Sequence, residues 1–230
     1  SVDITLPKRI DAENQYIQPT HIAVVDGTIV LNDKGSSFTY YSIKFPLNTE
    51  KRNVFKIING QVQYKSDGIT VDTMEVDSGA YCFLDDYGVQ KYFNGSTSSD
   101  KCVALTSVGP LLTMYGPSSI EFWQKGNAES YQGLEAPYSV ATVNHSQFCI
   151  GTGKANAKCV LMINDTNVQK ISPLWLDRIL ADNDVKFVKG WSYSKNNHSF
   201  YLFSIKNECY VYDVTTRQWH IRSSRSFYTG

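Results

Sequence analysis

Short apolar runs alternate with polar turn dipeptides along most of the chain. The first block contains the runs 21–25, 28–31 and 38–43. Asp26-Gly27 separates the first two runs, and this dipeptide is a strong hairpin signal because a type I′ turn needs positive φ at both central positions. The block therefore predicts a three-stranded antiparallel meander.

Three further blocks repeat this organisation, with reversals marked by dipeptides such as Gly109-Pro110, Gly116-Pro117 and Asn196-Asn197. Meanders of three or four strands that recur about every 35 to 45 residues match the blade period of a β-propeller. We therefore predict an all-β, antiparallel β-propeller of four-stranded blades. The chain 1–230 would be a single propeller domain or a fragment of one, with blade-like units at about 16–45, 101–132, 136–172 and 185–224.

Two stretches depart from the repeat. Ser172-Pro173 predicts an N-cap and a first-turn proline, and the apolar spacing that follows predicts one short helix near 173–182. Residues 46–100 are less regular and are predicted to form an insertion, with short strands at 54–58, 61–64 and 81–84.

Composition and charge agree with a β domain and narrow the function. Apolar residues make up 42% of the 230 positions and aromatic residues 13%, a mixture that favours strands. The 22 basic and 22 acidic side chains give a net charge of zero. Because there is no overall positive field to hold a polyanion, a dedicated nucleic-acid-binding protein is not expected.

The cysteine pattern argues against disulfides and zinc. The five cysteines are odd in number and include no Cys-x-x-Cys pair. Most of them lie in apolar runs, where a free thiol behaves as a small buried hydrophobe. We expect reduced thiols and folding in a reducing cytoplasm, and with no apolar run of 18 residues we expect no membrane span.

A phosphate-binding loop is the first candidate site considered. Gly151-Thr-Gly153-Lys154 resembles the end of such a loop, but Phe148 and Ala155 occupy positions that need Gly and Ser or Thr. A hairpin turn is the better interpretation of this stretch.

The remaining candidate chemistry consists of scattered polar residues. His21, His145, His198 and His220 show no metal-ligand spacing, and no Gly-x-Ser-x-Gly elbow is present. Paired acids at Asp85-Asp86 and at Asp182 and Asp184 are candidates for calcium binding or general acid–base chemistry, but acids in turns more often cap the backbone in solvent. We therefore predict no catalytic residue, no cofactor, no metal and no enzymatic activity.

One aromatic pattern is informative. Tyr212-Asp213 is followed by Trp219, as in kelch propellers, where a Tyr ends the third strand of a blade and a Trp opens the fourth. Both rings then fill the contact between blades. We predict kelch-like blades whose structural aromatic residues, Trp123, Trp191, Tyr212 and Trp219, are largely buried between blades.

Longer stretches carry a family resemblance. The segments 19–27, 116–128, 136–141, 190–202 and 212–224 are similar to the tail hub or nozzle family of short-tailed bacteriophages, also called packaged-DNA stabilisation proteins. The similarity covers roughly Pro19 to Ser224. Members are longer at both ends, so we expect this chain to be a segment of a larger protein.

The resemblance implies a β-propeller protein that forms a ring in the phage tail, closes the DNA channel and conducts DNA at ejection. The implied partners are other copies of the chain, the portal and adaptor proteins, tail fibre or needle proteins, and genomic DNA in transient passage. The implied location is the tail of the virion, after synthesis in the cytoplasm of the host bacterium.

Two alternatives stay open at this point. One is a kelch-like protein-binding propeller, which would be monomeric with an exposed aromatic face. The other is a carbohydrate-binding propeller or a glycosidase, and an enzyme of that class would show clustered carboxylates with shifted pKa values.

Overall fold

The structure is a computed structural model that describes residues 6–12, 15–42, 51–58, 61–77, 82–84, 90–94, 100–123, 128–130, 133–153 and 156–223. In chain order the elements are β1 (Ile22–Val25), β2 (Thr28–Asn32), β3 (Phe38–Tyr41), β4 (Lys51–Phe55), β5 (Ile57–Ile58), β6 (Gln61–Val62), β7 (Thr73–Asp77), β8 (Tyr92–Asn94), β9 (Ala104–Val108), β10 (Leu111–Tyr115), β11 (Ile120–Trp123), β12 (Ala128–Ser130), a 3₁₀ turn (Pro137–Ser139), β13 (Ala141–Val143), β14 (Ser146–Thr152), β15 (Lys158–Asn164), β16 (Asn167–Lys170), α1 (Leu174–Ala181), β17 (Gly190–Lys195), β18 (His198–Ile205), β19 (Glu208–Asp213) and β20 (Gln218–Ser223).

The described residues are all-β apart from α1 and the 3₁₀ turn, and the paired strands of the sheets are antiparallel. Four four-stranded sheets contain most of the strands: the first sheet is β1-β2-β3-β8, the second β9 to β12, the third β13 to β16 and the fourth β17 to β20. The last three are consecutive meanders, as predicted. Two smaller pairs, β4-β7 and β5-β6, lie within the predicted insertion.

The first sheet differs from the prediction of a three-stranded meander. Its fourth strand, β8, comes from the stretch predicted as irregular insertion and pairs with β3. The strand predicted at 81–84 does not form among the described residues 82–84. Cys82 and Phe83 lie in a turn, and Leu84 forms only an isolated bridge. A local pattern does not reveal β8, since its partner strand lies about fifty residues earlier.

The predicted hairpins form where the turn dipeptides lie. Asp26 and Gly27 both have positive φ, 47° and 76°, between the paired residues Val25 and Thr28. Asn196 and Asn197 adopt φ of 51° and 63° between β17 and β18. Both turns have the positive φ values that a type I′ connection requires, which confirms the two hairpin predictions.

The second sheet is buried on both faces. Along β10, Leu112 and Met114 pack with the first sheet, while the alternate residues Leu111 and Tyr115 pack with the third. All five residues of the strand are buried. Since alternate side chains point to opposite faces, this sheet is enclosed between its two neighbours in the chain.

The third sheet is enclosed in the same way. Cys149 and Leu161 of β14 and β15 face the second sheet, whereas Phe148 and Val160 belong to the cluster shared with the fourth sheet. The four sheets therefore pack against one another in chain order, and each contact is an apolar layer that removes side chains from water.

The helix α1 lies where the sequence predicts it, but its start differs. Pro173, not Ser172, is the N-cap residue. The Ser172 hydroxyl instead donates to Asp177 Oδ1 at 2.5 Å and accepts the Val160 amide at 2.9 Å, so it ties the helix to β15. Leu176 and Leu180 join the apolar cluster between the third and fourth sheets. Neither this helix nor any other described helical segment is long and apolar enough to cross a membrane.

Polar side chains also connect neighbouring sheets. Asn32 of β2 donates to the Cys102 carbonyl at 3.1 Å. Buried Tyr115 hydrogen-bonds Gln147 of the third sheet, whose amide donates to Thr113 at 2.9 Å. Tyr201 of the fourth sheet donates to the Ser139 carbonyl at 2.9 Å. These bonds satisfy polar groups that would otherwise be costly to bury and fix the sheets relative to one another.

The two outer faces of the stack, one on the first sheet and one on the fourth, differ in how far other residues cover them. The far face of the first sheet packs against Ile17, Cys82 and Phe83. The segment before β1 is held against this sheet by Arg9, whose Nε lies 3.2 Å from Oδ2 of the buried Asp33 carboxylate. The far face of the fourth sheet carries no such cover in the described part of the chain, and the half-exposed side chain of Trp191 lies on it.

Candidate interaction surface

Three of the four predicted structural aromatic residues lie at contacts between sheets. Trp123 is partly buried and packs against the cluster shared by the first and second sheets, 6.3 Å from Tyr41. Tyr212 is buried and Trp219 partly buried in the cluster between the third and fourth sheets. The Trp219 indole donates to the Ile171 carbonyl at 3.1 Å, a bond from the fourth sheet to the third.

Trp191 contradicts the prediction that it would be buried, since 49% of its surface is exposed. In β17 it pairs with Leu202, and the neighbouring residue Ser192 pairs with Tyr201. Tyr201 faces the third sheet. Because side chains alternate along a strand, Trp191 must point to the other, uncovered face of the fourth sheet.

The register identifies the rest of this open face, which we define as the side of the fourth sheet that points away from the third. Cross-strand partners share a face, so each row of paired residues places its members together. The rows are Trp191, Leu202, Val211 and His220; Tyr193, Phe200, Asp213 and Gln218; Ser204, Cys209 and Arg222; and Lys195 with His198.

Aromatic rings form the floor of the open face. Tyr193 and Phe200 stack with ring centroids 4.8 Å apart, and His198 stacks on Phe200 at 6.0 Å. Arg222, on the last strand, donates to the Tyr193 hydroxyl on the first strand at 3.0 Å. The two side chains therefore meet across the face, and a cleft of about 750 Å³ lies between the rings and the hairpin ends.

Asp213 is the carboxylate of this face, and hydrogen bonds stabilise its anionic form. Its side chain accepts from His198 Nδ1 at 2.7 Å and from the Thr215 and Thr216 amides at 2.9 and 3.2 Å. Burial alone would raise the pKa of Asp213, but the hydrogen bonds from His198, Thr216 and Thr215 outweigh it and lower the pKa to about 2. Asp213 thus holds the β19–β20 turn as an anion near neutral pH.

The Lys and Arg side chains of the face are not paired with acids among the described residues. Lys195 has no described ion pair, and the described bond of Arg222 goes to a neutral hydroxyl. The other acid of the sheet, Glu208, alternates with Cys209 and so lies on the opposite face, where it accepts the Tyr210 hydroxyl at 2.6 Å. The open face is therefore aromatic and net positive.

The candidate sites considered from the sequence are dispersed. Asp85 and Asp86 lie outside the described residues. Asp184 caps the backbone by accepting the Lys186 amide at 3.0 Å. Thr152 pairs with Lys158, so the described part of the glycine-rich stretch, residues 151–153, ends β14 and leads into a hairpin connection, as predicted. No group of three or more His, Cys, Asp or Glu in the described ranges is placed to hold a metal ion.

The cysteines are free thiols, four of them buried. Burial raises the pKa of Cys82 to about 11 and that of Cys102 to about 12, so both stay protonated near neutral pH. Cys209 is only partly buried and lies on the open face. The prediction of small buried hydrophobes holds for Cys82, Cys102 and Cys149.

Sequence reasoning did not select Tyr193, Lys195, His198 or Arg222 as a group. The signal that finds them is the strand register, because the alternation along 190–195 and 218–223 places them on the face opposite the buried tyrosines. Their spacing of up to 29 residues gives no recognisable motif.

Comparisons with known proteins give one family match. A family model described as Phage_stabilise, "Bacteriophage P22 Gp10, beta-propeller", matches residues 82–228, more than half of the chain. No curated protein matches the chain. Among solved structures, the chain is similar to a protein of Bacteroides fragilis described as exported, with 9% identity, a TM-score of 0.29, and coverage of 96% of this chain and 74% of that one.

Proposed function

The chain belongs to the Phage_stabilise family of bacteriophage P22 Gp10 β-propeller proteins, and from this premise we propose that it is a structural component of a phage tail. The family match carries the proposal. The finer role that we propose is that of a tail hub or nozzle, a ring of identical copies that closes the DNA channel and conducts DNA at ejection.

The packing of the sheets supports a propeller. Four-stranded antiparallel sheets follow one another in chain order, and the second and third are buried on both faces. First strands are neighbours, with β1 beside β9 and β13 beside β17. Blades arranged around an axis would bring their first strands together in this way. We propose that the four sheets are blades of a propeller or of part of a larger one.

Close backbone contacts before the third and fourth sheets support the proposal that the protein is a rigid structural component. A Cβ added to Gly133 would lie 1.8 Å from the Pro117 carbonyl oxygen, and one added to Gly190 would lie 2.1 Å from that of Ser139. The ring of His21, before β1, has its centroid 6.1 Å from that of Tyr138, which precedes β13. Sheets whose backbones pack this closely resist motion relative to one another. Such rigidity suits a tail component that must withstand the pressure of packaged DNA.

The proposed partners follow from this role. They are other copies of the chain, the portal and adaptor proteins above, and the fibre or needle proteins below, with genomic DNA passing transiently. We propose that the protein acts through assembly and carries out no catalysis, and that it is made in the host cytoplasm and ends in the tail of the virion.

Immunogold labelling of purified virions tests the proposal. An antibody against this chain should label a single vertex of each virion, at the tail. Absence of the chain from purified virions, or label spread evenly over the capsid, would contradict a tail role.

A further inference from the structure

The first sheet carries an arm between its third and fourth strands. In the second, third and fourth sheets the third strand leads to the fourth within two to four residues, but residues 42–91 separate β3 from β8. Since β3 and β8 pair with each other, this insertion is a closed excursion from the sheet. We define residues 51–77 as the arm. Repeat proteins often carry such insertions on the face that binds a partner.

A paired stem and a forked tip give the arm a defined shape. β4 and β7 form the stem, in which Val54 is fully buried. Three backbone bonds close a junction beyond it: the amides of Lys56, Gln63 and Asp72 donate to the carbonyls of Asp72, Lys56 and Gln63 at 2.9, 2.9 and 2.8 Å. Two short hairpins fork from this junction, β5–β6 and the turn at 64–71.

The tip of the arm, residues 57–71, exposes apolar side chains beside charges. Ile58, Tyr64 and Ile69 leave between 50% and 83% of their surface in solvent. Lys65 is exposed and has no described ion pair, and Asp67 accepts the backbone amides of its own turn. Exposed apolar groups gathered on one short element are typical of a contact surface.

A groove of about 620 Å³ lies between α1 and the β18–β19 turn. The residues that define it are Ile179, Asp182, Ile205, Lys206, Glu208 and Tyr210. Ile205 and Tyr210 belong to the apolar cluster between the third and fourth sheets, so the groove lies between two sheets and not on the outer face of the fourth. Trp175 extends it, with its ring 6.3 Å from that of Tyr210 and 40% of its surface exposed.

The arm and the groove lie at opposite ends of the stack. The arm leaves the first sheet where β1 ends, whereas the β18–β19 turn lies where β17 starts. The first strands start at one common end, as shown by the bonds from Cys102 to Ser36 and from Leu134 to Gly116. The two surfaces of one chain therefore face in different directions.

We propose that the tip of the arm on one copy binds the groove of a neighbouring copy. The proposal rests on the proposed function, which makes the protein a ring of identical copies. Tyr64 and Ile69 pack against Trp175, and Lys65 pairs with Asp182. Contacts between two different surfaces are head-to-tail, and they close into rings when the rotation between copies allows it.

Charge complementarity favours a second copy as the occupant. The tip carries one cation and one anion, and the groove carries two anions and one cation, so each charge of the tip has an opposite partner. Both halves of the contact are present on the same chain. A portal, adaptor or fibre protein would leave one of the two surfaces without a partner.

Sedimentation velocity over a range of concentrations tests the pairing. Lys65→Glu and Asp182→Lys should each raise the concentration for half-assembly about fivefold, and the two together should restore the value of the parent chain. Ile69→Glu should raise it at least about tenfold. Phe187→Glu is the matched control, because Phe187 is 71% exposed but belongs to neither surface. Unchanged melting temperatures would show that the variants fold.

Crosslinking identifies which chains are in contact. Chains that carry Ile69→Cys are mixed with chains that carry Asp182→Cys, and a short bismaleimide is added. The mixture should give crosslinked dimers, whereas each variant alone should give only the background from the native thiols. A chain that carries both substitutions should give a series of crosslinked species that ends at the closed ring.

Four results would overturn the proposal. They are equal assembly of the parent chain, Lys65→Glu and Ile69→Glu; a crosslink between 69 and 182 within one chain; intact rings of Ile69→Glu that no longer bind portal complexes, which would assign the arm to the portal; and a parent chain that stays monomeric. Virion labelling decides the tail role independently, so failure of the arm contact is distinguishable from failure of the proposed function.

Discussion

At the scale of single residues, two tryptophans of the same sheet differ in their surroundings. Trp219 and Trp191 both belong to the fourth sheet, yet Trp219 packs toward the third sheet and donates a hydrogen bond, whereas Trp191 faces solvent. The two environments differ because the two side chains point to opposite faces of the sheet. It provides a matched pair for measuring what the contact between two sheets contributes to stability.

We expect Trp219→Ala to destabilise the protein by about 3 kcal/mol, near the lower end of the range for a large aromatic residue removed from a core, because the ring is partly exposed. Trp191→Ala should change the free energy of unfolding by less than about 1 kcal/mol. Urea titrations of both variants measure the two values. Equal losses would show that Trp219 does not connect the sheets.

The Asp213 carboxylate predicts a pH effect on stability. Its pKa is about 2 in the folded protein and 3.8 when unperturbed, so the unfolded chain takes up the proton first. The stabilisation is complete above the unperturbed value and is lost as pH falls from about 4 toward 2. Urea titrations of Asp213→Asn should therefore show a smaller acid-induced loss than those of the parent chain. A parallel decline in both proteins would contradict the assignment.

At the scale of elements, close backbone contacts fix where a sheet begins. Gly190 opens β17 against the Ser139 carbonyl, and Ser139 also accepts the Tyr201 hydroxyl. A side chain at Gly190 would have to displace backbone rather than a flexible group. The start of the fourth sheet is thus coupled to the turn that begins the third.

Gly190→Ala should destabilise the protein by about 1–3 kcal/mol, the range for overpacking a tight site. Gly153→Ala is the matched control, because its new methyl group would meet the Cys159 sulfur at 3.4 Å in an ordinary contact. Thermal melts of both variants measure the difference. A melting temperature for Gly190→Ala equal to that of the control would show that the backbone contact is loose.

The elements also show which predictions a single sequence supports. Asp26-Gly27 and Asn196-Asn197 specify their hairpins locally, through positive φ, and the predicted helix appears at Leu174–Ala181. The pairing of β8 with β3 is non-local and leaves no local signal. The open face was missed because its residues are dispersed, and only the strand register brings them to one surface.

At the scale of the whole molecule, burial is asymmetric along the stack of sheets. The first sheet has its outer face covered by Ile17, Cys82 and Phe83, while the outer face of the fourth sheet is uncovered in the part of the chain that the structure describes. In the propeller that we propose, the outer face of the fourth sheet is the surface against which a neighbouring blade would pack.

Negative-stain electron microscopy of the purified protein, alone and mixed with portal complexes, tests the central claim most directly. The account predicts closed rings of identical copies with a central opening, stacked coaxially on the portal. Particles that stay monomeric at concentrations where the portal itself is assembled, and that do not bind it, would contradict the claim that this chain forms the hub of a phage tail.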